Sequence, residues 1–238
     1  CCLPRWFDVH AEWLYWNYDF DEQLALSSAG ILGATVLDAN QLSMTYESGF
    51  RVSGAYLIGP GTGIEASYMD GLNWSDSTTV VGDNDLFSVF SDFGFDPLNG
   101  FPETDFGSRH SLSISAQMNG GELNIRRRFV SANCHVHSSI MAGARYFRWR
   151  EDLVYDTLSL SSQANPDGGE MSYRLKASND LVGAQTGGDL WFCVSPRFKI
   201  GGDIKGGIFA THSTARTNVF CTSCLPLREQ TSASDVAF

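Results

Sequence analysis

Phe198-Lys-Ile-Gly-Gly-Asp-Ile-Lys-Gly-Gly-Ile-Phe-Ala210 alternates with a period of two. Phe198, Ile200, Ile204, Ile208 and Ala210 fall on one face, and Lys199, Asp203 and Lys205 fall on the other. Successive side chains of a strand point to opposite faces of its sheet, so the stretch reads as a strand with one apolar and one charged face. A packed core does not take charges at this density, whereas a water-filled lumen does. Six other segments repeat the pattern. Val9, Ala11, Trp13 and Tyr15 oppose His10, Glu12 and Leu14; Phe50, Val52, Gly54, Tyr56 and Ile58 oppose Arg51, Ser53 and Ala55; Ile64, Ala66 and Tyr68 oppose Glu65 and Ser67. Further along, Leu123 and Ile125 oppose Glu122, Asn124 and Arg126; Ile140, Ala142, Ala144 and Tyr146 oppose Gly143, Arg145 and Phe147; Ala184, Leu190 and Phe192 oppose Gln185, Gly187 and Asp189. Asp235-Val-Ala-Phe238 reads as the start of an eighth strand. Helical spacing is absent outside residues 22–37, where Gly and Ser interrupt it.

The connections carry the second half of the reading. Short links (Gly59-Pro-Gly-Thr62, Ser131-Ala-Asn133, Ser195-Pro-Arg197) alternate with long ones at about residues 20–45, 81–108, 153–172 and 213–233. A sandwich has no reason to put every long loop at one end, but an outer-membrane barrel does. Strands of 10 to 20 residues, as read here, exceed the usual five or six and suit a tilted crossing of a bilayer. Aromatics near the strand ends (Trp6, Trp13, Tyr15, Trp16, Tyr68, Phe129, Trp149, Phe192) fit an interfacial girdle. The expected fold is therefore all-β, an antiparallel up-and-down transmembrane β-barrel in one domain over residues 1–238, with seven to eight strands visible.

Composition agrees. The 238 residues carry 27 acidic and 16 basic groups, a net charge of −11, which argues against nucleic acid as a partner. The longest apolar run, Ala29–Leu37, is too short for a membrane helix, and 30 aromatics speak against disorder. On this reading the 43% apolar content is mainly lipid-facing surface rather than a packed core.

Several segments resemble a known family. Trp6-Phe-Asp-Val-His-Ala-Glu-Trp-Leu-Tyr-Trp16, Ser48-Gly-Phe-Arg-Val-Ser-Gly-Ala-Tyr56 and Gly63-Ile-Glu-Ala-Ser-Tyr68 resemble the opening strands of the planctomycete outer-membrane β-barrel proteins, a porin-like group. Gly120-Gly-Glu-Leu-Asn-Ile-Arg126, Ala142-Gly-Ala-Arg-Tyr146 with Glu151-Asp-Leu153, and Gly183-Ala-Gln-Thr-Gly187 resemble later ones, in consistent order over residues 6–220. The resemblance implies an outer-membrane location but neither a substrate nor catalytic residues. Members run longer, which implies a whole barrel of ten or twelve strands, with this chain incomplete at both ends.

Glu12, Arg51, Glu65, Glu122, Arg126, Arg145, Asp189, Asp203 and Lys205 form the lumen-facing charged set. They either set ion selectivity or neutralise one another and rigidify a narrow barrel. Phe87, Phe90, Phe93 and Phe95, with Phe101, crowd the second long loop, which suits packing on a neighbouring subunit or folding back over the barrel mouth. Asp70, Asp76, Asp83, Asp85 and Asp92 lie in or near that loop without calcium-loop spacing and read as solvated acids. Cys221-Thr-Ser-Cys224 is one pair, too few to close a zinc site, and reads as a loop disulfide or free thiols. His135-Val-His137 has chelating spacing without a third ligand, so no metal or cofactor is expected. Nucleophile, P-loop and Rossmann motifs do not occur, so an enzyme is not expected. The expectation is an integral outer-membrane protein, either a porin-like passive channel or a structural barrel. Its partners would be outer-membrane lipid and copies of itself or other envelope proteins. The alternative is a secreted β-sandwich binding module.

Overall fold

A computed structural model describes residues 6–19, 23–96, 101–130, 135–162, 165–166, 168–195, 198–223 and 226–237. It is one antiparallel ten-stranded sheet. Eight strands form its path in chain order: β1 (Phe7–Trp16), β4 (Glu47–Gly59), β5 (Thr62–Ser88), β6 (Gly107–Val130), β7 (Val136–Ser159), β8 (Glu170–Ser195), β9 (Phe198–Cys221) and β10 (Leu227–Ala237). A hairpin of β2 (Ala25–Ala29) and β3 (Ala34–Asp38) joins through β2 to the far end of β5. A single path of neighbouring strands is barrel wall and not the two packed sheets of a sandwich. No α-helix occurs among the described residues.

The strands are longer than the alternation alone indicates. β5 to β9 run 24 to 27 residues, so three of the long connections shrink, to about 89–106, 160–169 and 222–226, while the first spans 17–46. The eighth strand begins at Leu227, not Asp235. Residues 22–37, the one stretch with traces of helical spacing, hold the β2–β3 hairpin. Asp70, Asp76, Asp83 and Asp85 belong to β5, and only Asp92 of that group lies in the loop. Pro60 and Gly61 form the tight link between β4 and β5, Gly61 taking the positive φ of 72° that a Pro-Gly turn needs.

The extra length has a different chemistry. Along β6 the even-numbered side chains face inward throughout, but polarity changes sides near Gly120–Gly121. Towards the short turns, Leu123, Ile125 and Phe129 are exposed on the outer face while Glu122, Asn124 and Arg126 point in. Towards the long connections, Leu112, Ile114, Ala116 and Met118 are buried inside while Ser113 and Ser115 are exposed outside. The changeover falls on one register row: Tyr68, Gly121, Tyr146, Val182 and Ala210.

In β5 the same row is marked by a bulge. One extra residue enters between Met69 and Leu72, with Gly71 at φ 86°, and it reverses which parity faces out. Outward residues are Ile64, Ala66 and Tyr68 before it and Asn73, Ser75 and Ser77 after it. The outward apolar run of β8, from Val182 to Phe192, covers ten residue steps; at about 3.3 Å each and a tilt near 40° that is about 25 Å, the height of an outer-membrane barrel's lipid band.

The other half is folded as a water-soluble protein. Leu26, Leu37, Ala39, Leu42 and Met44 from the first long connection pack against Leu72, Trp74, Leu112, Ile114, Met118 and Tyr155 of the wall. Burying an aliphatic side chain of this size contributes about 1.5–3 kcal/mol. The apolar content is thus divided between a lipid-facing band and a packed core, which corrects the expectation of lipid-facing surface alone.

Candidate functional site

Inward positions of β1 and β4 to β9 in the membrane-level half bring eight of the nine expected lumen charges into ion pairs. Arg126 is the centre of the largest group: its Nε lies 2.7 Å from Glu65 and its Nη1 2.5 Å from Asp189, with Ser139 also bonded to Asp189. Arg128 adds a contact of 3.4 Å to Glu65. Glu122 anchors a second group, with Lys205 at 3.3 Å, Arg145 at 3.5 Å and the Gln185 amide donating at 3.1 Å. Arg51 and Glu12 pair at 3.2 Å. Asp203 stands in register beside Asp189, and no ion pair among the described residues includes it. Lys205 of β9 lines the same cavity of about 230 Å³ as Asp8, Glu12 and Arg51 of β1 and β4, so the described wall curls tightly around a narrow polar space.

The distal half closes over that space. Tyr18 packs on Trp149 and Trp74 (ring centroids 5.1 and 5.9 Å) and donates to the Glu151 carboxylate at 2.7 Å. Burial and that carboxylate push the Tyr18 hydroxyl well above its ordinary range. Trp149 is therefore part of the inner core and leaves the girdle, where Trp13, Tyr15, Tyr68, Phe129 and Phe192 remain exposed.

Deeper in the same core, Ser27 Oγ lies 2.7 Å from His110 Nδ1 and 2.8 Å from the Tyr155 hydroxyl. All three are fully or almost fully buried, and burial lowers the His110 imidazole to about 4, so it is neutral at ordinary pH. Through Ser27 this group holds the β2–β3 hairpin to the wall. The sequence did carry a signal for this half in Leu112, Ile114, Ala116 and Met118 alternating with Ser and Gln.

The phenylalanine group divides. Phe87 is buried edge-on to Phe106, and Phe90 packs on Phe101, Tyr155 and Tyr173, so both fold back onto the core. Phe93 is half-buried in a left-handed turn and Phe95 is 70% exposed. Cys221 is disulfide-bonded, while Cys224 lies outside the described residues. His135 and His137 gather no third ligand: no cluster of three potential metal ligands exists among the described residues.

A sheet with an apolar outer band about one membrane high, a charged inner face and long connections at one end is the wall of an integral outer-membrane β-barrel. Comparison with known families agrees. The model of the Legionella pneumophila major outer membrane protein precursor family matches residues 1–236, and the chain belongs to that family. The outer-membrane location follows, and the secreted sandwich falls away. No curated protein and no solved structure matches the chain.

Proposed function

We propose that the protein is a porin-like passive channel of low conductance, whose passage is the charged lumen and whose restriction is the inward-folded segment 23–46. One observation carries this reading. A lumen serving only to pack would be filled with apolar side chains, as the distal half is. The membrane-level half instead keeps both signs of charge around a polar cavity of about 230 Å³. Rings of both signs admit small solutes with weak ion selectivity. A second reading, a non-conducting structural barrel in an oligomeric array, is favoured by the mutual pairing of the charges and by the apolar core above them. Either way, the outer rows of β1 and of the membrane-level part of β9, which β10 leaves uncovered below Phe209, need backbone partners within the membrane. The planctomycete affiliation is narrower than the family membership and rests on the strand motifs alone.

Planar-bilayer conductance separates the two readings. The channel predicts small openings in the purified protein that grow when Leu37→Asp and Leu42→Asp loosen the hairpin. Silence under every salt condition, in the variants as well, leaves the structural barrel.

A further inference from the structure

We propose that the outer face of β5 to β9, directly above the lipid band, is a binding groove for the phosphorylated headgroup of an outer-leaflet glycolipid. The observation is an open groove of about 650 Å³ whose floor is strand backbone and whose rims carry Arg148, Arg150, Lys176 and Arg216. All four are outward-facing residues of the distal half. Arg148 follows the boundary residue Tyr146 by one outward position, Arg150 by two, and Arg216 follows the boundary residue Ala210 by three, so the groove spans about 5–15 Å above the lipid band, the level of a glycolipid headgroup. The long connections mark this as the external side of the membrane.

In a chain of net charge −11 this face reverses sign locally. Its outward carboxylates are committed: Asp180 to Arg148, and Asp152 to Arg174 at 3.0 Å and Lys176 at 3.5 Å. The third acid at the groove, Glu151, turns inward to Tyr18. Arg150 and Arg216 are both exposed, and no ion pair among the described residues includes either. Ser178 and Thr214 stand beside Arg150 in the same register row, supplying hydroxyl donors. Two exposed guanidinium groups outside any direct ion pair among the described residues, with Arg150 near enough to Asp180 to feel its charge, and neighbouring hydroxyls fit a phosphate, since guanidinium binds phosphate oxygens in bidentate fashion. Phosphate monoesters anchored at headgroup height meet that site without leaving the leaflet.

The test uses the full chain, purified in detergent and reconstituted with vesicles containing a bis-phosphorylated lipid A-type glycolipid, its dephosphorylated form, or phosphatidylethanolamine alone. Retained lipid is measured by phosphorus and mass analysis after detergent exchange. The expected result is selective retention of the phosphorylated glycolipid, about 30-fold weaker in Arg150→Ala/Arg216→Ala. Arg150→Lys/Arg216→Lys should lose much less, and heat-modifiable migration should be unchanged in both variants. Equal retention of the dephosphorylated form, or no loss in the alanine variant, overturns the proposal. Complete displacement by inorganic phosphate alone overturns it in favour of a free-anion site, and a change of oligomeric size in the alanine variant overturns it in favour of a contact between copies.

Discussion

The two halves of β6 have the same backbone, the same pairing partners and the same parity, yet opposite chemistry. From Leu112 to Met118 the apolar side chains are inside; from Leu123 to Phe129 they are outside. The difference is the solvent. Lipid rewards apolar groups on the outer face, and water rewards them on the inner one. Period-two alternation therefore identifies a strand without saying which of its faces is buried. The largest test of this contrast replaces one residue in each half. Leu112→Arg forces an unpaired cation into a site with 0% exposure and should cost more than about 4 kcal/mol, unfolding the distal half. Ile125→Arg, facing lipid, should cost about 2–4 kcal/mol depending on depth. Urea unfolding in lipid vesicles measures both. A tolerated Leu112→Arg would mean that the distal face is assigned the wrong way round.

This contrast also explains what the sequence could and could not tell. The seven membrane-level strands, their faces and the short links follow from alternation, because lipid imposes one rule over residues 7–16, 50–68, 121–146 and 182–210. Alternation puts the lumen charges on one face without saying which pairs with which. The distal half breaks that rule. Ser111-Leu-Ser-Ile-Ser-Ala-Gln-Met118 alternates as cleanly as any membrane strand, but it reads as the same kind of wall unless a second core is supposed. The Gly71 bulge, which shifts the phase in β5, truncates the apparent strand at Tyr68. The Ser27, His110 and Tyr155 contacts join residues 83 and 128 positions apart. No local pattern encodes such a meeting.

His110 gives the distal half a pH dependence of its own. The folded state holds the imidazole near 4, against 6.5 for the free side chain, so the unfolded chain binds more protons between those values. The contribution is whole above pH 6.5, declines as pH falls through the window, and is gone below about 4. The full difference is roughly 3 kcal/mol. Fluorescence of Trp74 and Trp149 during urea unfolding at pH 7.5 and 4.5 should show the loss, and His110→Gln should flatten it. An unchanged midpoint in the native chain would contradict a buried neutral histidine.

Ion pairs on the two faces should differ as well. Arg126→Met leaves Glu65 and Asp189 without their shared cation in a half-enclosed lumen and should cost about 2 kcal/mol, falling as salt rises. Arg148→Met breaks the outward pair with Asp180, where water replaces the partner, and should cost about 0.5 kcal/mol or less. Thermal unfolding at low and high salt compares them. Equal costs would mean that the lumen is as wet as the outer surface, which favours the open channel over the structural barrel.

The smallest contrast lies in two tyrosine hydroxyls, each bonded to one carboxylate. Tyr18 donates to Glu151 at 2.7 Å inside the distal core, and Tyr146 donates to Asp180 at 2.5 Å at the outer boundary. Replacing either with Phe keeps the ring and removes only the hydrogen bond. Tyr18 is half-buried and a bond to a charged acceptor is worth more than a neutral one, so Tyr18→Phe should cost about 1 kcal/mol. Outside, interfacial water rebonds Asp180, whose pairing with Arg148 also survives, so Tyr146→Phe should cost less than about 0.5 kcal/mol. Because the Tyr18 ring stays packed on Trp74 and Trp149, Tyr18→Phe should leave the tryptophan emission of the folded state unchanged while its urea midpoint falls. A shifted emission maximum would show instead that the hydroxyl, and not the ring stack, positions the first connection against the wall.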